Sequence, residues 1–268
     1  MPKFAFIGTG NMGGALATAA RKALPGEDIL LANRTPQKAR ALAEKLNARA
    51  VDNMTAAREA DYLFLGVKPQ MMAGMLASIR GVLAARQVPC VLVTMAAGLT
   101  ISTIRQMAGV DFPVIRIMPN TPAAIGQGVV LCCADGVRDA QLDTFKTVMA
   151  GAGLLDFIDE HLIDAGSAVS GCGPAFVAML IEAMADGGVA CGLPRAKAQA
   201  YAAQTVLGTA ALALQSGQHP GAMKDAVCSP AGSTIQGVRA LEKGGFRSAA
   251  FEAVVAAYEK TVQMSKTK

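Results

Sequence analysis

Apolar and polar positions along this 268-residue chain follow two regimes. In the first, short apolar runs recur at residues 4–7, 28–32, 48–51, 61–67, 89–94, 112–118, 128–134 and 154–158. Each is bounded by Gly, Pro, Asn or Asp and is too short to be a helix, so each reads as a buried strand. Helical patterns lie between them, at 14–24 and 138–150 for example, and Thr35 can cap another with Pro36 at its first position. Eight strands alternating with helices over residues 1–159 predict an α/β fold built on a doubly wound sheet.

The second regime, residues 160–268, shows no strand pattern. Helical periodicity appears at 161–190, 195–216, 219–227, 230–243 and 247–265, and the last puts Phe251, Val254, Val255, Tyr258 and Val262 on one face. Segments 174–186 and 198–214 are apolar nearly all round, so they need cover on every side. Too little chain remains to supply that cover. An all-α second domain that interlocks with its copy in a homodimer is expected.

The first strand carries the first candidate chemistry. Residues 3–16 read KFAFIGTGNMGGAL: a strand, a glycine turn, a helix. This is the context of a Rossmann-type dinucleotide fingerprint. Gly8 allows the turn, Gly10 lets a pyrophosphate approach the backbone, and Gly13 lets helix and strand pack closely. With Asn11 and Met12 they form the expected phosphate cradle at a helix N-terminus. The plain alternative is an ordinary tight strand–helix turn. At the second strand tip, Asn33 and Arg34 stand where NAD enzymes usually place a carboxylate, and Lys38 follows one turn on. An Arg pairs with a 2′-phosphate that a carboxylate would repel. NADPH preference is expected, with NADH as the alternative cofactor.

Further strand ends add candidates, since ligands bind at the carboxyl edge of such sheets. Pro69 ends the fourth strand after Val67 and Lys68, so Lys68 is expected at the cofactor or, equally, on the loop surface. Ala97-Gly98 follows the fifth strand. Asn120, stiffened between Pro119 and Pro122, is placed to bond a nicotinamide carboxamide or ribose, or simply to shape a turn.

In the second half, residues 170–176 (SGCGPAF) open one helix with Pro174 at its first position. Ser229 and Pro230 read as the cap and first residue of another, with Gly232, Ser233 and Thr234 in its first turn. Helix starts bearing glycines and hydroxyls suit a small carboxylate, or are merely well capped. His161 and His219 are the only histidines, and no lysine lies between Lys146 and Lys197. A hydroxy-acid dehydrogenase would want a Lys or His acid/base near the start of this half. Reduction of a C=N bond asks less: the nitrogen arrives protonated, and positioning plus one hydroxyl suffices.

Composition narrows the class. The chain is 52% hydrophobic and 17% charged, which makes it globular. Only 4% is aromatic and Trp is absent, so a core of small and aliphatic side chains is expected. The net charge of +5 is scattered, which favours a small anionic ligand over nucleic acid. Cysteines 90, 132, 133, 172, 191 and 228 form no CxxC pair and lack a neighbouring His, so no metal site is expected. All six read as reduced, buried residues of a cytoplasmic protein, with Cys132 and Cys133 on opposite faces of a strand. The first strand begins almost at once, so no signal peptide is expected. The uncharged stretch 198–223 holds four Gln, two Thr and a Pro, which fits a covered helix better than a membrane span.

With these residues assembled, the chain resembles the pyrroline-5-carboxylate reductase family along essentially its whole length. The resemblance rests on GTGNMG at 8–13, NRT at 33–35, VKP at 67–69, MPNTP at 118–122 and SGCGPAF at 170–176. It continues through HPGAMKDAVCSPAGSTIQG at 219–237 and LEKGGFRSA at 241–249. It implies NAD(P)H-dependent reduction of a cyclic imine acid to L-proline and a helical dimerisation domain, with dimers assembling further, decamers included. It also implies Asn33, Arg34 and Asn53 at the adenosine end, with Val67, Lys68, Pro69, Ala97, Gly98 and Asn120 along the cofactor. Ser229, Gly232, Ser233 and Thr234 would hold the substrate in a site completed across the dimer, with Thr234 bonding the ring nitrogen. Three positions depart from the family pattern: Ala231 replaces a glycine, Cys172 a serine, and Ser233 stands where Thr or Ala is common. The other readings are a related imine or hydroxy-acid reductase and a catalytically silent NADPH-binding scaffold.

Overall fold

A computed structural model describes residues 1–266, with side chains through residue 263. Eight strands form one sheet: β1 (Phe4–Ile7), β2 (Ile29–Ala32), β3 (Arg49–Ala50), β4 (Tyr62–Leu65), β5 (Val91–Thr94), β6 (Val114–Pro119), β7 (Gly128–Asp135) and β8 (Gly153–Phe157). Their order is β3-β2-β1-β4-β5-β6-β7-β8. Neighbours pair in parallel except β6 and β7. That exception corrects the simple alternation of strand and helix. Residues 120–127 join the two strands through a single 3-10 turn, too few to carry the chain back for a parallel crossover.

Each strand residue takes one face or the other. Phe4 and Phe6 join a cluster with Leu16 of α1 (Asn11–Ala20), Ala43 of α2 (Pro36–Leu46) and, past α3 (Asn53–Glu59), α4 (Pro69–Ala84) and α5 (Ile101–Ala108), Phe145 of α6 (Asp139–Met149). Ala5 and Ile7 join the opposite cluster with Ala56 of α3, Leu76 of α4, Ile104 of α5 and Ile163 of α7 (Ile163–Ser170). Cys132 and Cys133 divide between the two clusters as alternation requires. The few aromatics are not spread thinly. Phe4 stacks on Tyr62 at 4.4 Å between ring centroids, Phe6 on Phe64 at 4.3 Å, and Phe145 covers Phe64. One layer of the core is therefore aromatic, against the expectation of small side chains.

The remaining helices are α8 (Gly173–Ala190), α9 (Arg195–Ser216), α10 (Pro220–Ala226), α11 (Ser233–Lys243) and α12 (Phe246–Lys266). Contacts divide the chain into two compact units: Met1–Cys172 with the end of α12 from Ala257, and Gly173–Ala256. The single helix expected at 161–190 is two, α7 and α8. Pro174 has no N–H to donate to the Ser170 carbonyl, so α7 ends at Ser170 and the chain turns at Gly171-Cys172. The stretch Glu160–Ala190 is long and apolar enough to cross a membrane by length and composition alone, with mean hydropathy 1.6. Its first part is anchored to the sheet through Ile163, which is fully buried.

In the second unit the buried apolar residues are Ala185, Ala198 and Ala202, with Ile181 and Val189 packed against them. Gly188 lets α8 and α9 approach closely, since a methyl there would lie 3.2 Å from Ala198 Cβ. The expectation of six buried cysteines fails here: Cys191 is exposed and Cys172 and Cys228 are half-buried, whereas Cys90, Cys132 and Cys133 are buried. Burial pushes the Cys132 thiol up to about 12, which keeps it a protonated, unreactive packing residue.

Candidate functional site

The glycine turn after β1 has the geometry its sequence asks for. Gly8 has φ +100°, and a methyl there would stand 2.4 Å from the carbonyl oxygen of Gly66. A methyl at Gly13 would stand 2.0 Å from the Gly8 carbonyl oxygen, so α1 can lie on β1 only with glycine there. At Gly10 nothing lies within 4 Å of the same position, leaving open space over the start of α1. Gly10 is the N-cap, no side chain accepts from the first turn, and that turn holds no acidic residue. Its unpaired N–H groups and the helix dipole are available to an anion.

Asn33 fastens this turn to the tip of β2. Its Oδ1 accepts from Thr9 N–H at 3.1 Å, and its Nδ2 donates to the Thr35 carbonyl at 3.1 Å. Thr35 is the N-cap of α2 with Pro36 at N1, but its side chain makes no capping bond, which corrects the expected hydroxyl cap. A cavity of about 650 Å³ opens beside the turn. Gly8, Gly10, Asn33, Arg34, Asn53, Val67 and Lys68 all line it, and so does Lys38. No carboxylate does, and among the described residues Arg34, Lys38 and Lys68 form no ion pair. Three cations facing one cavity beside an uncapped helix start fit a ligand with several phosphates. The residues present thus suit a 2′-phosphorylated dinucleotide.

Asn11, Met12 and Gly13 form the first turn of α1, and Pro69 is the first residue of α4 with Lys68 as its N-cap. Ala97 and Gly98 turn the chain after β5, with Gly98 at φ +70°. Because β1, β4, β5 and β6 run parallel with Ile7, Leu65, Thr94 and Arg116 in register, these segments share one edge with Gly8 and Asn120. Asn120 is tied into the protein on both sides. Its Oδ1 accepts from Val129 N–H and its Nδ2 donates to the Ser170 carbonyl, both at 2.9 Å, so its orientation is set by two bonds within the protein. Gly66, Gln70, Met71 and Met75 also line the cavity and were not foreseen. Gly66 alone carried a usable signal, a small residue just before the VKP turn, where a methyl would meet the Gly8 carbonyl oxygen at 2.7 Å.

In the second unit, Ser229, Gly232, Ser233 and Thr234 fall within one turn, but not as a helix from Pro230. Ala231 has φ +58°, a left-handed conformation that no helix can pass through. Residues 229–232 form a β-turn closed by Gly232 N–H to the Ser229 carbonyl at 3.0 Å. Gly232, rather than Ser229, is the N-cap of α11. No side chain caps this helix and its first turn holds no acidic residue, the same condition as at α1. A methyl on Gly232 would meet Ser229 Oγ at 2.4 Å, so the hydroxyl is pressed against the helix start.

Glycine fingerprint, cation-lined cavity and parallel sheet define the first unit as that of an NADP-dependent oxidoreductase. Residues 3–98 match a family model described as NADP oxidoreductase, coenzyme F420-dependent, and residues 160–264 match pyrroline-5-carboxylate reductase dimerisation. The pyrroline-5-carboxylate reductase of Escherichia coli is 39% identical over 99% of both chains. That of Synechocystis is 46% identical over 80% of this chain and 79% of its own. Solved structures of the enzyme from Coxiella burnetii (TM-score 0.88, 28% identity) and from Plasmodium falciparum with NADP bound (TM-score 0.87, 29% identity) each cover 98% of both chains. The chain belongs to the pyrroline-5-carboxylate reductase family.

Proposed function

We propose that this chain reduces the C=N bond of 1-pyrroline-5-carboxylate to give L-proline, the last step of proline biosynthesis, with NADPH preferred over NADH. The observation that carries the reading is the cavity with Arg34, Lys38 and Lys68 on its walls and no carboxylate. When bound, the cofactor supplies the hydride. The chain's part is to bind and orient. The first-turn amides of α1 take the pyrophosphate. Arg34 and Lys38 take the 2′-phosphate, and Asn33 and Asn53 the adenosine end.

The uncapped start of α11 takes the substrate carboxylate through its free amides, helped by the Ser229 and Ser233 hydroxyls. The Thr234 hydroxyl bonds the ring nitrogen, which arrives protonated, so no titratable acid is required. The helical unit pairs with a second copy, whose helices cover the exposed Met179, Tyr201, Leu207 and Phe251. Further assembly of such dimers into decamers, a cytoplasmic location, and the absence of nucleic-acid or membrane partners complete the reading.

The test is direct. Purified protein is mixed with NADPH and pyrroline-5-carboxylate, and the nicotinamide absorbance is followed. Steady loss of absorbance with proline as product is expected, faster with NADPH than with NADH. No turnover with either cofactor ends the proposal.

A further inference from the structure

Helix α7 is fastened at its start to β6 and at its end to Asn120, the residue just past β6. At its start, Arg116 of β6 reaches two carboxylates: Nη1 lies 3.2 Å from Glu160 Oε1 and Nη2 2.9 Å from Asp164 Oδ1. At its end, the Ser170 carbonyl is one of the last four of a helix and lacks an intrahelical partner. Asn120 Nδ2, four residues beyond Arg116, donates to it at 2.9 Å. The same Asn120 accepts from Val129 N–H of β7. Glu160 Oε1 also accepts from Ile101 N–H at 2.8 Å, which ties in the first residue of α5, just past the Ala97-Gly98 turn. The clasp therefore spans two adjacent strand tips on the ligand edge of the sheet.

We infer that Arg116, Glu160, Asp164 and Asn120 are positioning residues for the reductase, and that Asn120 serves hydride transfer by holding α7 on the strand tip rather than by touching the nicotinamide. This rests on the proposed function above. The chemistry of the clasp favours a committed role. The Arg116 side chain is 3% exposed, and its Nε is buried without a partner, so the two carboxylates are what balance its charge. Removing one leaves a buried cation half compensated. The Asn120 side chain is 8% exposed and bonded on both sides, Oδ1 to Val129 N–H and Nδ2 to the Ser170 carbonyl, which fixes its orientation between β7 and α7. Asp at that position keeps the acceptor for Val129 and loses the donor for Ser170. Asn at 164 keeps the shape and loses the charge.

Asp164→Asn, Asn120→Asp and the double variant of the full chain test the inference. Each single variant is expected to lower kcat about tenfold, as misplacement of reacting groups by a fraction of an ångström does. NADPH affinity by calorimetry should stay within about twofold, because the adenosine end is bound elsewhere. The isotope effect on kcat with NADPH deuterated at the transferred position should rise. The double variant should be no slower than the worse single one, as expected for parts of one device. Amide exchange at Val129 should quicken in Asp164→Asn, a readout independent of turnover. A wild-type kcat and isotope effect in Asp164→Asn overturns the inference, as do unchanged exchange at Val129 or multiplying effects in the double variant. A loss of NADPH affinity confined to Asn120→Asp also overturns it, because it returns Asn120 to direct cofactor contact. Absence of turnover in the wild type would instead strike the proposed function, and the exchange measurement would still decide the clasp.

Discussion

The two units of this chain solve burial in opposite ways. In the first, a sheet covered by helices on both faces hides Phe4, Phe64, Leu31 and Ile117 on one side and Ile7, Leu65, Met72 and Leu92 on the other. In the second, the buried apolar cluster consists of three alanines, while Met179 is 69% exposed and Leu214 84% exposed. Hydrophobic burial is the main favourable term in folding, so the first unit carries its own stability and the second does not. On the proposed pairing with a second copy, what looks like a poor core in the second unit is half of a shared one.

The sharpest way to break this contrast is to put a charge on each surface. Leu207→Glu, at a position 58% exposed on α9, should dissociate the dimer, read by sedimentation, and abolish most activity. The loss expected is that of an interface hot spot, about 2–4 kcal/mol or more. Val88→Glu, 70% exposed in the first unit, should leave mass and activity unchanged. Equal behaviour of the two variants would mean that exposure in the helical unit is ordinary surface.

The units also share a device. Helices α1 and α11 each begin at a glycine N-cap with no side-chain acceptor and no acid in the first turn. By contrast, α3 is capped by Asp52 and α5 by Thr100. Helices α2, α4 and α9 also lack a side-chain cap and a first-turn acid, so the glycine N-cap is what α1 and α11 share, and in the proposed function each takes an anion. Thr234→Ala should lower kcat by about a hundredfold, the scale for losing one hydrogen-bond partner aimed at a reacting group. Stopped-flow measurement with saturating cofactor checks this, and an unchanged rate removes Thr234 from the chemistry. Arg34→Ala should raise the KM for NADPH about tenfold or more, since charge-assisted hydrogen bonds are worth about 1.5–3 kcal/mol. It should leave the KM for NADH nearly alone, and equal loss for both cofactors would place Arg34 outside 2′-phosphate recognition.

Much of the first unit was legible because its signals are local. Glycines at 8, 10 and 13, apolar runs at the strands and prolines at strand ends each act within a few residues of where they stand. The illegible parts depend on partners far along the chain. Asn120 is bonded to Ser170, fifty positions away, and no local pattern announces that bond. Gly66 matters because β4 lies beside β1, a fact of topology. The start of α11 was misread by three residues because Ser-Pro looks like a cap and first turn, while the backbone at Ala231 decides otherwise.

That backbone also gives the smallest and most local test. Residues 229–232 make a turn with Pro at its second position and a positive φ at its third, the place where glycine is favoured. An L-residue there costs about 1–2 kcal/mol of steric strain, and Ala231 bears it. Ala231→Gly relieves the strain but adds unfolded-state entropy worth about 0.4–1 kcal/mol. The net gain should be about 0.5–1 kcal/mol, seen as a slightly higher midpoint in denaturant with an unchanged slope. Affinity should move the other way, because glycine loosens the segment that carries Ser229 and Gly232, and the KM for the imine should rise slightly while kcat holds. The strain would then be a cost of presenting the α11 amides in fixed register. If Ala231→Gly instead destabilised the protein, the left-handed turn would not be its resting conformation, and the likeness between the two glycine-capped helix starts would lose its second member.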